Sequence, residues 1–178
     1  MHRHTVRLIT LAAVAAAVTT SANAQAAKPL DDPTIVAIFD AANTWDIQTG
    51  LIAAKRGSTK AIRDFGTMLA HDHRAVRHQG RDLAKKLHVT PTPPKDFAMA
   101  EDHADAMETL KSAKRGAAFD RAFLEHEVAY HKAVLDAVTK TLLPALKNEE
   151  VKALVNKVAP AFVAHQQAAQ AMLDKLAK

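Results

Sequence analysis

The chain has 178 residues and a formal net charge of +5, part of it carried by Arg3 and Arg7 near the start. It contains no cysteine, which excludes disulfides, thiol catalysis and cysteine-ligated zinc or iron–sulfur centres together. Aromatics make up 4% of the residues and neither an arginine-rich block nor a phosphate-cradling glycine loop occurs, so the mild positive surplus argues for solubility and loose contact with anionic surfaces, and against nucleic-acid recognition.

Arg3 and Arg7 precede an uncharged run, Leu8 to Val18, that gives way to small residues and Ala22-Asn23-Ala24. This order predicts a secretory signal peptide over residues 1–24, cleaved after Ala24, with Ala24-Gln25-Ala26 as an alternative site two residues on. The run is well short of the roughly 20 apolar residues that span a bilayer, so no transmembrane segment is expected after cleavage. A lipoprotein anchor would need a cysteine. The expected location is the periplasm or cell envelope.

Residues 25–32 read as a flexible leader, and residues 33–177 as one all-α domain. Asp32 before Pro33 is the expected N-cap of a first helix running to about Arg56, with proline at the first helical position. Gly57-Ser58 is expected to stop it and cap a second helix whose apolar stripe extends from Ile62 to Leu87. Val89 to Pro94 holds three prolines and reads as a stiff extended connector. A shorter helix follows at about Phe97 to Lys114, carrying Glu101, Asp102, Asp105 and Glu108 on a solvated face, and Gly116 closes it. A third long helix is expected from Ala117 to about Lys147, ending early at Pro144, and a fourth from Glu149 to Leu176, kinked at Pro160. Short links imply antiparallel neighbours. There is also an internal echo: Phe65 precedes His73-Arg74-Ala75-Val76 by the same eight residues as Phe123 precedes His131-Lys132-Ala133-Val134.

A core-facing helical stripe steps by three and four residues, and polar side chains fall on these stripes. In the second helix Ile62, Phe65, Leu69, His73, Val76, Leu83 and Leu87 form one stripe. In the third, Phe119, Phe123, Glu127, His131, Val134, Val138 and Leu142 do so, and in the fourth Val151, Val155, Val158, Phe162, His165, Ala169, Met172 and Leu176. The first helix is less regular: Ile35, Ile38, Ala42, Trp45, Thr49 and Ile52 define its expected apolar edge, with Asp46 able to turn inward and Gln48 facing away. His71, His78, His88 and His103 fall off the stripes and read as surface residues. Burying an ionisable group without a partner costs several kcal/mol, so His73, Glu127, His131 and His165 are expected to converge at mid-bundle with Asp46 or Asp72.

Two accounts of that cluster stand side by side. In one it is a polar layer in which Glu127 and Asp46 accept imidazole N–H bonds and fix helix register. In the other, His73, Glu127, His131, His165 and Asp46 are ligands of a transition metal ion: iron, manganese, zinc or copper. The first account makes the protein a non-enzymatic envelope bundle with a structural His/Glu layer and an envelope protein as partner. The second makes it a metal-binding protein. The acidic segment from Glu101 to Glu108 offers a third, weaker role as a face for a basic partner.

Four segments carry a family resemblance: Ala41-Ala42-Asn43 through Gly50, Phe65 through Met68-Leu69-Ala70-His71-Asp72-His73, Phe119-Asp120-Arg121-Ala122-Phe123-Leu124 followed by His131, and Ala159-Pro160 before His165. Together they resemble the bacterial exported family of unknown function DUF4142, over about Pro33 to Leu176. The resemblance implies a ferritin-like antiparallel bundle of four long helices plus one short connecting helix, in the periplasm or envelope, with no settled activity. Members often carry an outer-membrane label; this chain has none of the alternating ten-residue strands of a barrel. The family pattern has two glutamates before the first-helix glycine, where this chain has Asp46 and Gln48. Ferritin-type di-iron centres use Glu-x-x-His pairs. Here position 70 is alanine, position 128 is valine, and Glu127 stands four residues before His131, so a ferroxidase centre is not expected. No nucleophile elbow, zincin motif or dinucleotide fingerprint occurs either.

Overall fold

The computed structural model describes residues 30–95 and 97–176; the expected signal peptide over residues 1–24 and most of the expected leader lie outside them. The elements are α1 (Asp32–Arg56), α2 (Lys60–Lys86), α3 (Ala98–Ser112), α4 (Ala117–Ala137), a π-helical turn (Val138–Leu142), α5 (Leu143–Ala145) and α6 (Glu149–Leu176). Among the described residues there is no strand, and no helix is long and apolar enough to cross a membrane.

The helix ends follow local chemistry, with some shifts from expectation. Asp31, not Asp32, caps α1: its carboxylate accepts the Thr34 N–H at 2.9 Å, while Asp32 accepts the N–H groups of Lys147 (2.9 Å) and Asn148 (3.1 Å) and so ties the start of α1 to the loop before α6. Thr59, not Ser58, caps α2. Ser58 instead donates its backbone N–H at 2.9 Å, and its hydroxyl, to the buried Asp120 in the first turn of α4. Pro144 ends the third long helix less abruptly than expected. A proline here cannot donate to Lys140 and its ring crowds that carbonyl; the backbone widens into the π turn ahead of it, with the Leu143 N–H bonded to Val138, before the chain turns extended at Leu146. Through Pro160, α6 continues as one helix. The connector between α2 and α3 is extended and is pinned by the Thr92 N–H to the Pro33 carbonyl at 3.1 Å. The short helix is not purely a surface element, because Leu110 is buried in the core.

Chain direction follows from the core. One apolar cluster joins Ala53, Ile62, Phe65, Leu69, Phe119, Phe123, Leu124 and Ala169; another joins Ile35, Val36, Ala84, Val138, Leu142, Val151 and Val155. Thus α1 and α6 run from the second cluster to the first, whereas α2 and α4 run the opposite way. Each hairpin is antiparallel, and the connector with α3 carries the chain back along the bundle so that α4 parallels α2. A single long crossover between two helical hairpins is the ferritin-like arrangement. α1 and α2 approach most closely at two glycines: a Cβ on Gly66 would lie 2.6 Å from the Gly50 carbonyl oxygen, and one on Gly50 2.7 Å from that of Gly66.

Candidate metal centre

Between the two apolar clusters every long helix places a polar side chain in the interior: Asp46 from α1, His73 from α2, Glu127 and His131 from α4, and His165 from α6. All five are buried, with Glu127 at 0% and Asp46 and His131 at 1% exposure. The three imidazole rings form a near-equilateral triangle, with centroids 5.6 Å (His73–His131), 5.2 Å (His73–His165) and 5.4 Å (His131–His165) apart. Phe162 stacks on His73 at 5.0 Å and holds its plane. The internal echo acquires a spatial meaning here, because its two halves meet: Phe65 packs edge-on against Phe123 at 6.0 Å, one layer away from the His73–His131 pair.

The hydrogen bonds around the rings decide which nitrogens carry protons. Asn43 donates its amide to the Phe39 carbonyl at 2.8 Å, so its Oδ1, 2.9 Å from His73 Nδ1, accepts the His73 N–H. His131 Nδ1 donates to the Glu127 backbone carbonyl at 3.0 Å. His165 Nε2 donates to the Asp72 carboxylate at 3.1 Å. Each ring is therefore left with one lone pair: His73 Nε2, His131 Nε2 and His165 Nδ1. Those three nitrogens, both Asp46 carboxylate oxygens and Glu127 Oε2 are buried without a hydrogen-bond partner. A ring nitrogen from each histidine lies within 4.8 Å of the others, and Asp46, Glu127 and His131 form a second such set.

Electrostatics agree with this tautomer pattern. Burial, then repulsion from the neighbouring imidazoles, pulls His131 down to about 3 and His73 lower still, so both are neutral. Burial also lowers His165, against the pull of Asp72. Burial raises Asp46 to about 7, partly offset by its contact with Glu127; burial and the nearby Asp46 carboxylate push Glu127 well above the ordinary range. Five ionisable groups thus sit in the core with almost no net charge.

The donor set fits a single cation. Asp46 Oδ2 stands 3.1 Å from His73 Nε2 and 3.4 Å from His131 Nε2. The edge of a tetrahedron with metal–ligand bonds of about 2.0–2.1 Å is roughly 3.3–3.4 Å. Ligating histidines characteristically donate their other N–H to a carboxylate or carbonyl, which Asp72, Asn43 and the Glu127 backbone accept here. A cavity of about 10 Å³ lies among Asn43, Asp46, His73, Tyr130 and His131, room on the scale of one water molecule.

The structure buries all five sequence-derived candidates at mid-bundle, and assigns Asp46 and Asp72 different places: Asp46 against His73 and His131, Asp72 against His165. Three participants escaped the sequence reading. Asn43 orients His73, Thr49 donates to Glu127 Oε1 at 2.9 Å, and Tyr130 packs edge-on against His131 with its hydroxyl bonded to the Ala42 carbonyl at 2.9 Å. Asn43, Asp46 and Thr49 step by three along α1, and that spacing was the available signal. The expected edge of α1 is rotated: Ile38, Trp45 and Ile52 are half-buried, whereas Asn43, Asp46, Ile47, Thr49, Gly50 and Ala53 are buried. His103 also departs from expectation. It is half-buried, stacked on Trp45 at 5.2 Å and bonded to Gln48 at 2.8 Å.

No curated protein matches the chain. Among solved structures it is similar to a DUF305 fragment from Deinococcus radiodurans, at 14% identity and a TM-score of 0.70, covering 83% of this chain and 99% of that one, a likeness of fold. The model of the domain of unknown function DUF4142 matches residues 16–172, and the chain belongs to that family.

Proposed function

We propose that this protein binds one transition metal ion in the middle of its bundle, through His73, His131, His165 and Asp46, and does so outside the cytoplasm. The observation that carries the reading is a buried triad of imidazoles, each with one ring nitrogen left without a hydrogen bond, two of which stand 3.1 and 3.4 Å from the Asp46 carboxyl. A polar layer serving only helix register should close on its own hydrogen bonds. Here each ring spends its single N–H on a group behind it, and lone pairs face a carboxylate, an arrangement that a cation relieves and a proton relieves only in part. Unsatisfied buried polar groups cost about 1–3 kcal/mol each. Imidazole and carboxylate ligands suit zinc, copper, iron or manganese. The small enclosed space supports holding an ion over turnover of a substrate.

The Mechanism of capture is largely proton exchange. Asp46 and Glu127 retain protons near neutrality because they are buried together; on binding, Asp46 gives up its proton and its charge offsets that of the cation. Asn43 and Asp72 keep the ligand nitrogens of His73 and His165 aimed inward and deprotonated throughout.

The test is metal content by inductively coupled plasma mass spectrometry on untagged protein purified from the periplasm, beside His131→Ala and Asp46→Asn variants whose folding is checked by circular dichroism. Stoichiometric metal in the wild type, lost in both folded variants, is the expected result. A metal-free wild type that gains no thermal stability with zinc, copper, iron or manganese overturns the proposal.

A further inference from the structure

A second group of metal-capable side chains lies one helical face away from the first. α3 and α4 enclose an open pocket of about 230 Å³ lined by Met99, Asp102, His103, His126, Ala129, Tyr130 and Ala133. His103 repeats the pattern of the inner histidines: Nε2 is bonded to Gln48 Oε1 at 2.8 Å, while Nδ1 is buried without a partner. Trp45 stacks on this ring at 5.2 Å and fixes its plane. Opposite it, His126 is half-buried, stacked on Tyr130 at 5.4 Å, and its ring nitrogens make no hydrogen bond among the described residues. Tyr130 links the two spaces, stacking on His126 at 5.4 Å and packing edge-on against His131 at 6.1 Å. Tyr130 forms a wall of both spaces.

We propose that Met99, His103 and His126 form an outer metal site for a soft cation, with cuprous copper as its ligand, at the approach to the buried centre. Two imidazoles and a thioether are soft donors that favour monovalent copper, whereas the inner set offers imidazole and carboxylate without sulfur. Met99 is half-buried on the first turn of α3, one turn before His103, and lines the same pocket as both histidines with a flexible, unbranched thioether side chain. The site needs no unpaired carboxylate and no interior charge. It therefore exchanges with solvent, while the inner one is enclosed, and its existence does not depend on whether the inner centre takes metal.

The test uses the full mature chain titrated with cuprous copper against a chromophoric chelator, with X-ray absorption at the copper edge reporting sulfur in the coordination shell. The wild type should bind an equivalent of copper with a sulfur neighbour. In Met99→Leu the sulfur signal should vanish, and in Met99→Leu/His126→Gln the affinity of that equivalent should fall by at least the roughly tenfold that loss of even an outer-shell partner costs. Asp46→Asn should leave this equivalent and its sulfur signal intact, which separates the two sites. Copper bound without sulfur, or a sulfur signal and affinity unchanged in the double variant, overturns the outer site. Loss of the inner equivalent alone bears only on the inner one. All substituted side chains here are at least partly solvent-facing except Asp46, and the amide at that position has imidazole acceptors within reach.

Discussion

Replacing Asp46 by asparagine should make the metal-free protein more stable and weaken metal binding at the inner centre. The carboxyl is raised from 3.8 to about 7. Between those values the native state holds a proton that the unfolded state has released, so stability falls as pH rises through the window and levels off above it. At about 1.36 kcal/mol per unit, the full shift amounts to about 4 kcal/mol lost by pH 8. An amide carries no charge, and its NH₂ faces the lone pairs of His73 Nε2 at 3.1 Å and His131 Nε2 at 3.4 Å, the two distances now held by Oδ2. After the amide's own desolvation, a net gain of about 1–3 kcal/mol at pH 8.5 is expected, or roughly 2–12 °C in melting temperature for a domain of this size. The gain should shrink on going to pH 5, below the raised value, where the native carboxyl is protonated. Ligand linkage works the other way. Wild type at a hundredfold excess of metal over its Kd should gain about 2.7 kcal/mol, and the variant should gain little. Differential scanning calorimetry on chelator-treated protein at pH 5 and 8.5, with and without zinc or copper, reads all four states. A variant that melts lower than wild type at pH 8.5 without metal, or that keeps the full metal-dependent gain, refutes the reasoning.

Four further outcomes are expected. On the acid side, His73 and His131 are neutral in the native state and protonate in the unfolded one below about 6.5, so they lose stability as pH falls, while Asp46 changes in the opposite sense. His126, lowered by burial to about 4, acts in the same sense, so three imidazoles outweigh the one carboxyl and stability should fall as pH falls from roughly 6 to 4.5; urea midpoints across that range measure it, and a flat profile would contradict the neutral-imidazole assignment. Metal affinity should rise roughly tenfold per pH unit between 5 and 7 as the Asp46 proton is displaced, visible as proton release in unbuffered titration. Gly66→Ala should cost about 1–3 kcal/mol despite alanine's better helix propensity, because its Cβ would meet the Gly50 carbonyl at 2.6 Å and the Ala54 nitrogen at 2.8 Å, neither able to rotate away. Phe123→Ala, at a fully buried position, should cost about 3–5 kcal/mol by the same denaturation assay and leave metal content unchanged.

The helices and the inward histidines were legible because α2, α4 and α6 each bury one face, so the 3.6-residue period of Phe65, Leu69, His73 or of Phe123, Glu127, His131 survives in the sequence. α1 is different. It packs against α2, α3 and α4, so apolar residues occur around much of its circumference: Trp45 covers α3 through Phe97 and His103, while Ile47 and Ala53 face the core. A pattern without a clean stripe cannot be phased, so Asn43 was passed over, and Thr49, though placed on the apolar edge, was not read as a partner of Glu127. Capping was ambiguous for a related reason. Asp31 and Asp32, or Ser58 and Thr59, are adjacent residues of equal capping power. Tertiary partners, the Lys147–Asn148 loop for Asp32 and Asp120 for Ser58, engage the neighbour of each capping residue. Proton positions were beyond any sequence reading, because each depends on the group behind the ring.

The centre also explains why the ferritin-like topology need not bring ferritin chemistry. Paired Glu-x-x-His motifs place a carboxylate and an imidazole from each of two helices into the bundle and supply the charge for two cations. In this chain Ala70 and Val128 occupy the carboxylate positions, and the remaining acids, Asp46 and Glu127, are so desolvated that near neutrality they hold protons instead of full charge. Three neutral imidazoles with one displaceable proton on Asp46 match the charge of a single cation far better than that of two. The second ligand set, Asp46, Glu127 and His131, does not add an independent position, since it shares His131, whose Nδ1–H is committed to the Glu127 carbonyl and whose one lone pair already faces Asp46. The apolar clusters on either side, with Phe119, Phe123 and Leu69 at one end and Ile35, Val151 and Val155 at the other, supply the stability that this polar layer subtracts, and so would let the proposed mononuclear site persist in the core of a cysteine-free bundle.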